Sequence, residues 1–135
     1  MSASKVSRTR GQLIAQFQAG GRVATPLYQA KAEFFRTLGH PGRIRILELL
    51  SERDHAVHEL LQEINIEASN LSQQLAVLRR TGLVTQRREG SEVVYSLSVP
   101  HVRELLLAAR RILRDRITTQ DALKVELRRA SARTR

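Results

Sequence analysis

Residues 68–84 read Ala68-Ser-Asn-Leu-Ser-Gln-Gln-Leu-Ala-Val-Leu-Arg-Arg-Thr-Gly-Leu-Val84. Leu71, Leu75 and Leu78 recur at spacings of four and three, which makes one apolar stripe on a helix. Gly82 is a natural stop for it. On a helical wheel Ser69, Gln73, Ala76 and Arg80 lie opposite the leucines, flanked by Ser72 and Asn70. That outer face is built from hydroxyls and amides, and no acid occurs from Ala68 to Arg80. An ordinary solvated helix would carry Glu and Lys there. A helix entering the major groove of DNA needs short or forked side chains with both donors and acceptors, and acids would be repelled by phosphate. The competing reading is a merely polar surface, so the flanking sequence has to decide.

Upstream, Val57, Leu60, Leu61 and Ile64 place one buried face on a shorter helix, and Asn65-Ile66-Glu67 is a tight connection. Two short helices joined by about three residues make a helix-turn-helix. Before them lie two more helices. From Pro26, Tyr28, Phe34, Phe35 and Leu38 form an apolar stripe that Gly39 ends. His40-Pro41 restarts the chain, with Pro in the first turn where its missing N–H costs nothing. Ile44, Ile46, Leu47, Leu49 and Leu50 make that second helix apolar on most sides and central in the core, until Arg53-Asp54 breaks it.

Downstream of Gly82 the period changes to two. Val84–Arg88, a turn at Glu89-Gly-Ser-Glu92, and Val93–Leu97 read as strand, turn, strand, with Val93, Tyr95 and Leu97 facing inward. Pro100 opens another helix, whose stripe of Val102, Leu105, Leu106, Ala109, Ile112 and Leu113 runs to about residue 116. Thr118-Thr-Gln-Asp121 has capping-box spacing, and Leu123, Leu127 and Ala130 suit a last helix before a fraying end. The expected fold is mainly α with a small β-hairpin: a winged helix-turn-helix over 26–117, flanked by a basic arm or short extra helix over 1–25 and a basic helix or tail over 118–135.

Charge supports a polyanionic partner. The 135 residues carry a formal net charge of +10. Residues 1–25 hold Lys5, Arg8, Arg10 and Arg22 and no acid, and residues 103–135 hold ten basic and four acidic side chains; the middle is balanced. There are no cysteines, which excludes disulfides, thiolate metal sites and thiol switches. No run of 18 apolar residues exists, so a membrane partner is not expected, and the chain is expected in the cytoplasm. The acid-free N-terminus has the composition of a mitochondrial transit peptide, but an arm ending at Gly20-Gly21, with Leu13, Ile14 and Phe17 as a small apolar face, is the simpler reading.

Four phrases carry a family resemblance. They are Phe35-Arg-Thr-Leu-Gly-His-Pro-Gly-Arg-Ile-Arg-Ile-Leu47, Val57-His-Glu-Leu60, Ser69–Leu75 with its exit Leu78–Val84, and Arg87-Arg-Glu-Gly90 with Tyr95-Ser-Leu97. In this order, over about residues 28–116, they resemble the ArsR/SmtB family of bacterial transcriptional repressors. The resemblance implies a homodimer, built through the first and last core helices, that sits on operator DNA and leaves when an effector binds. Glu67 departs from the family, which often has Ser at this helix cap. A carboxylate suits a helix N-terminus but repels phosphate.

The residues expected on double-stranded DNA are Ser69, Asn70 and Gln73 at base edges, with Asn and Gln suited to adenine, and Ser72 and Arg80 at phosphates. Gln74 is expected as a flanking contact, and Arg87 and Arg88 at phosphate or in the minor groove. A two-fold dimer predicts an inverted repeat with half-sites about one helical turn apart. Two metal sites known in the family fail here residue by residue. Where one has a Cys-x-Cys pair the chain has Ala56 and His58, and His55 with His58 would share a helix face only if that helix began early. Where the other has Asp-x-His and His-x-x-Glu, the chain has Val99, His101, Ile112 and Asp115. No metal, other cofactor or catalytic residue is expected, and the effector is not identified by the sequence. Glu59 and Glu63 read as a solvated helix edge. The alternative is a winged-helix protein-interaction module, whose recognition face would be acidic. RNA binding would call for exposed aromatics, which are 4% of the chain.

Overall fold

A computed structural model describes residues 25–133. The expectations for the basic arm, with Leu13, Ile14 and Phe17, and for the last two residues lie outside the described residues. Two units are distinguished, one ending at Pro100 and the other beginning at His101.

The first unit contains helices α1 (Leu27–Leu38), α2 (Pro41–Glu52), α3 (Val57–Glu63) and α4 (Ala68–Arg80), and strands β1 (His55–Ala56), β2 (Val84–Glu89) and β3 (Glu92–Leu97). Gly39 caps α1, and α2 starts as the sequence dictates. Pro41 occupies the first turn, and the Gly42 N–H donates to Nδ1 of His40 at 3.0 Å. Ile46, Leu47, Leu49 and Leu50 of α2 are buried. Leu60 of α3 and Leu71, Leu75 and Leu78 of α4 are buried in the same core, with Leu38, Ile64, Leu83, Val84, Val94 and Tyr95. Each such leucine contributes about 1.5–3 kcal/mol on leaving water.

The exit from α4 is fixed by hydrogen bonds. The Gly82 N–H donates to the Arg79 carbonyl and the Leu83 N–H to the Leu78 carbonyl, both at 3.0 Å. This is a Schellman closure, and it needs a left-handed residue after the cap. Gly82 supplies it at φ +79°, and buried Leu78 and Leu83 are its apolar pair.

The strands differ from the hairpin expected. They form a three-stranded antiparallel sheet in the order β1-β3-β2. His55 pairs with Tyr95 and Ala56 with Val94. Strand β1 has only two residues, too few for an alternating pattern to show. Because β3 is the middle strand, Val94 and Tyr95 are both buried and Val93 is half-buried, so the simple inward alternation of Val93, Tyr95 and Leu97 does not hold. At the far end Glu89 faces Glu92 across a two-residue turn, where Gly90 takes φ +62°.

The aromatic stripe of α1 is also not where a core stripe would be. Leu38 is buried, but Tyr28 and Phe35 are exposed and Phe34 is half-buried.

The second unit is one helix, α5 (His101–Arg133). No break occurs at Thr118. The hydroxyls of Thr118 and Thr119 donate back to the carbonyls of Arg114 and Asp115, at 3.0 and 2.9 Å. A Thr that satisfies its hydroxyl on the preceding turn sits inside a helix, so the capping box expected there does not form. Among the described residues no helix is long and apolar enough to cross a membrane.

Candidate nucleic-acid interface

Helix α4 is held by its leucines, which leaves the opposite face outward. Ser69, Ser72, Gln73 and Arg80 are exposed, as the wheel requires, and Ala76 is half-buried. Arg79 is exposed as well, so both arginines of the last turn reach solvent. The sequence reading passed over Arg79 because it lies between the polar face and the leucine stripe. Basic residues at this end also complement the helix dipole. At the other end Glu67 occupies the cap position without a side-chain cap bond.

Asn70 and Gln74 behave differently from their neighbours. Gln74 is 8% exposed, and both ends of its amide are engaged. Its Oε1 accepts from Nη1 of Arg43 at 2.7 Å, and its Nε2 donates to Oδ1 of Asn70 at 2.8 Å. Nε of Arg43 in turn donates to the Thr37 carbonyl at 2.6 Å. Gln74 thus lies beneath the polar face rather than on its flank, and half-buried Asn70 is tied to it. Arg43 is a partner that the sequence reading missed. Thirty-one residues separate it from Gln74, and no local pattern encodes such a contact.

Arg87 and Arg88 both lie on the wing and are both exposed, but successive strand residues face opposite sides. Arg87 is tied into the protein. Its Nη1 donates to Asp54 at 2.7 Å and to the Ser96 hydroxyl at 2.9 Å, and its Nε donates to Glu89 at 2.9 Å. The Asp54 and Glu89 carboxylates hold the Arg87 guanidinium above its ordinary pKa. Reciprocally, the hydrogen bonds from Arg87 and then Ser96 hold the Asp54 carboxyl below its ordinary value, although burial opposes them. The other glutamate of the wing tip, Glu92, lies 3.1 Å from Nδ1 of His58. Both acids at the tip are therefore faced by cationic or titratable partners.

The histidines do not converge on a metal. His55 is on β1, not on α3, and is 2% exposed. Its Nδ1 lies 2.9 Å from the Arg53 carbonyl, and since a carbonyl only accepts, that nitrogen carries the proton. His58 is on α3 and turns to Glu92. The early helix start that a His55–His58 pair would need is absent. The Ala56 N–H instead donates to the Glu59 carboxylate at 2.8 Å, which opens the helix at Val57 and lowers the pKa of Glu59. Among the described residues no group of three or more His, Cys, Asp or Glu side chains is placed to hold a metal ion.

The arrangement is one exposed helix face of hydroxyls, amides and arginines, with a strand pair beside it that carries Arg87 and Arg88. Comparison with known proteins agrees. The family model for bacterial regulatory proteins of the arsR family matches residues 40–86. The chain is 52% identical over 110 residues to the HTH-type transcriptional regulator Rv0081 of Mycobacterium tuberculosis strain H37Rv, covering 81% of this chain and 96% of that one. The crystal structure of M. tuberculosis Rv0081 superposes with a TM-score of 0.65 at 54% identity, covering 72% of this chain and 98% of the other. The transcriptional repressor BigR from Xylella fastidiosa superposes with a TM-score of 0.58 at 31% identity, covering 78% and 96%.

Proposed function

The chain belongs to the ArsR family of bacterial regulatory proteins and is a DNA-binding winged helix-turn-helix transcriptional regulator, and on that premise we propose that it is a homodimeric repressor of an inverted-repeat operator. The observation that carries this reading is the outer face of α4, where Ser69, Ser72, Gln73 and Arg80 are exposed and no acid intervenes. Ser69, Asn70 and Gln73 read base edges in the major groove, and Ser72 and Arg80 hold phosphate. Arg88 extends the phosphate contact along the wing. Arg87 joins it only by exchanging Asp54 or Glu89 for a phosphate oxygen, and Gln74 serves from beneath, as a support for Asn70.

Dimerisation is supported by the apolar side chains that one chain leaves in water. Leu27, Tyr28 and Phe35 are exposed on α1, and Ile112, Leu113, Ile117, Leu123 and Leu127 on α5. A helix with so much exposed apolar surface needs a partner, and a second copy supplies the same surface by two-fold symmetry. Two α4 helices then meet successive major grooves about one helical turn apart. Residues 26–117 hold the binding unit and most of the dimerisation surface, which Leu123 and Leu127 extend. The basic stretches 1–25 and 118–135 flank it, the latter continuous with α5 as far as Arg133. The protein acts by binding rather than catalysis, in the cytoplasm where its DNA lies, and an effector releases it.

Selection of bound sequences from a random duplex pool tests the reading. The expected product is an imperfect inverted repeat, and Gln73→Ala is expected to cost about 1–3 kcal/mol of binding and to relax one base preference per half-site. Equal loss on every duplex, or selection of no repeat, would refute it.

A further inference from the structure

The hydrogen-bond chain under α4 has a direction, and that direction reaches the DNA-reading face. Arg43 has only donors, so whatever faces it must accept. Its Nη1 lies 2.7 Å from Gln74 Oε1, which settles which end of the Gln74 amide turns inward. The other end, Nε2, has only donors and points 2.8 Å toward Asn70. Asn70 must accept, so its Oδ1 faces Gln74 and its –NH2 is turned away from it. Arg43 itself is anchored by Nε on the Thr37 carbonyl, at 2.6 Å. A guanidinium thereby sets the orientation of two successive amides, the second of them on the half-buried residue between exposed Ser69 and Gln73.

We infer that Gln74 is a positioning residue that makes Asn70 a hydrogen-bond donor to the major groove, so that Asn70 selects guanine rather than the adenine an unconstrained asparagine favours. Adenine recognition by asparagine uses its carbonyl and its –NH2 together, and here the carbonyl is turned toward Gln74 with one of its two lone pairs taken. A guanine edge presents N7 and O6, both acceptors, and so matches an –NH2 alone. The inference rests on the proposed role of α4 as the DNA-reading helix.

Gln74→Glu tests it by reversing the chain. Its carboxylate still accepts from Arg43, but it cannot donate to Asn70. Asn70 then turns its –NH2 inward and its Oδ1 outward. Full-length wild type, Asn70→Ala and Gln74→Glu would each be put through selection from the same random duplex pool. The position whose preference disappears in Asn70→Ala is the Asn70 base. Wild type is expected to favour guanine there about five- to tenfold. Gln74→Glu is expected to shift the preference to a base offering an exocyclic amine, cytosine or adenine. The same preference in wild type and Gln74→Glu, or an adenine or cytosine preference in wild type, would overturn the inference while leaving the operator-binding reading intact. Unchanged selection by Asn70→Ala would do the same. A wild type that selects no sequence would end both. A second measurement on the free wild-type protein is independent of how the variants fold. The Gln74 side-chain amide protons should exchange slowly with water and those of Asn70 quickly, and the opposite order would count against the chain of bonds.

Discussion

Glu67 sits at the N-cap of α4 and makes no side-chain cap bond, so its position there is electrostatic rather than structural. A carboxylate gains about 0.3–1 kcal/mol from the helix dipole. A serine at the same place gains about 1 kcal/mol by accepting a hydrogen bond from the first turn. If α4 reads DNA as proposed, the difference is larger there, because a carboxylate at this end of the helix would be repelled by phosphate. Glu67→Ser is expected to leave the denaturation midpoint equal or slightly higher. It should tighten operator binding several-fold at low salt, with the gain shrinking as salt screens the phosphates. Fluorescence anisotropy across a salt series would show this, and weaker binding at low salt would contradict it. The individual side chains also mark how far the sequence can be read. Ser69, Ser72, Gln73 and Arg80 were legible because exposure on a helix follows from spacing. The pairing of Gln74 was not, because its partner Arg43 arrives from α2.

Strand β1 and the residues around it join the wing to the end of α2. Asp54 stands just before the strand and binds Arg87, two strands away in the same sheet. Glu59 accepts from Ala56 at the start of α3 and also lies 3.1 Å from Arg53. Both carboxyls are held below their ordinary values of 3.8 and 4.5, Asp54 chiefly by Arg87 and Glu59 chiefly by the Ala56 N–H. A carboxyl with a depressed folded-state pKa stabilises the fold above its unfolded pKa, and that contribution is lost as pH falls through the folded value. The thermal midpoint should therefore be insensitive to these two groups above about pH 5 and fall as pH drops below about 4. Asp54→Asn should lower the midpoint at neutral pH and flatten the acid-side decline. An identical acid-side slope in wild type and variant would show that Asp54 is not responsible. On the proposed DNA-binding reading the Asp54–Arg87 contact would compete with phosphate, so Asp54→Asn would leave Arg87 more available to DNA, with Glu89 still beside it.

Helix α5 spans 33 residues, about 50 Å at 1.5 Å per residue, and most of its large apolar side chains are exposed in one chain. An amphipathic helix of this length gains most of its stability from packing its apolar face. Leu113 is 57% exposed and lies in the middle of that surface. Leu113→Glu would place like charges near one another across a two-fold interface while costing a single chain little. Sedimentation of full-length protein should show wild type as a dimer and Leu113→Glu shifted toward monomer. Operator affinity should fall with it, because a monomer presents one α4 helix where a dimer presents two. A wild type that sediments as a monomer would remove the basis for the inverted repeat.

The order of helices up to the wing, the helix-turn-helix, the wing and the polar face of α4 all follow from periods of 3.6 and 2 and from Pro41, Gly82 and Gly90, which act through their immediate neighbours. Strand β1, the pairing of Gln74 with Arg43, the engagement of Arg87 by Asp54 and the exposure of the α1 aromatics do not. Each is settled by a group that folding brings from dozens of residues away or, for the aromatics, by the absence of covering groups among the described residues of one chain. Patterns along a chain encode which face of an element is apolar. What a polar atom will find opposite it is fixed only when the elements pack, because hydrogen bonds demand a partner at about 3 Å and a one-dimensional spacing holds no such distance.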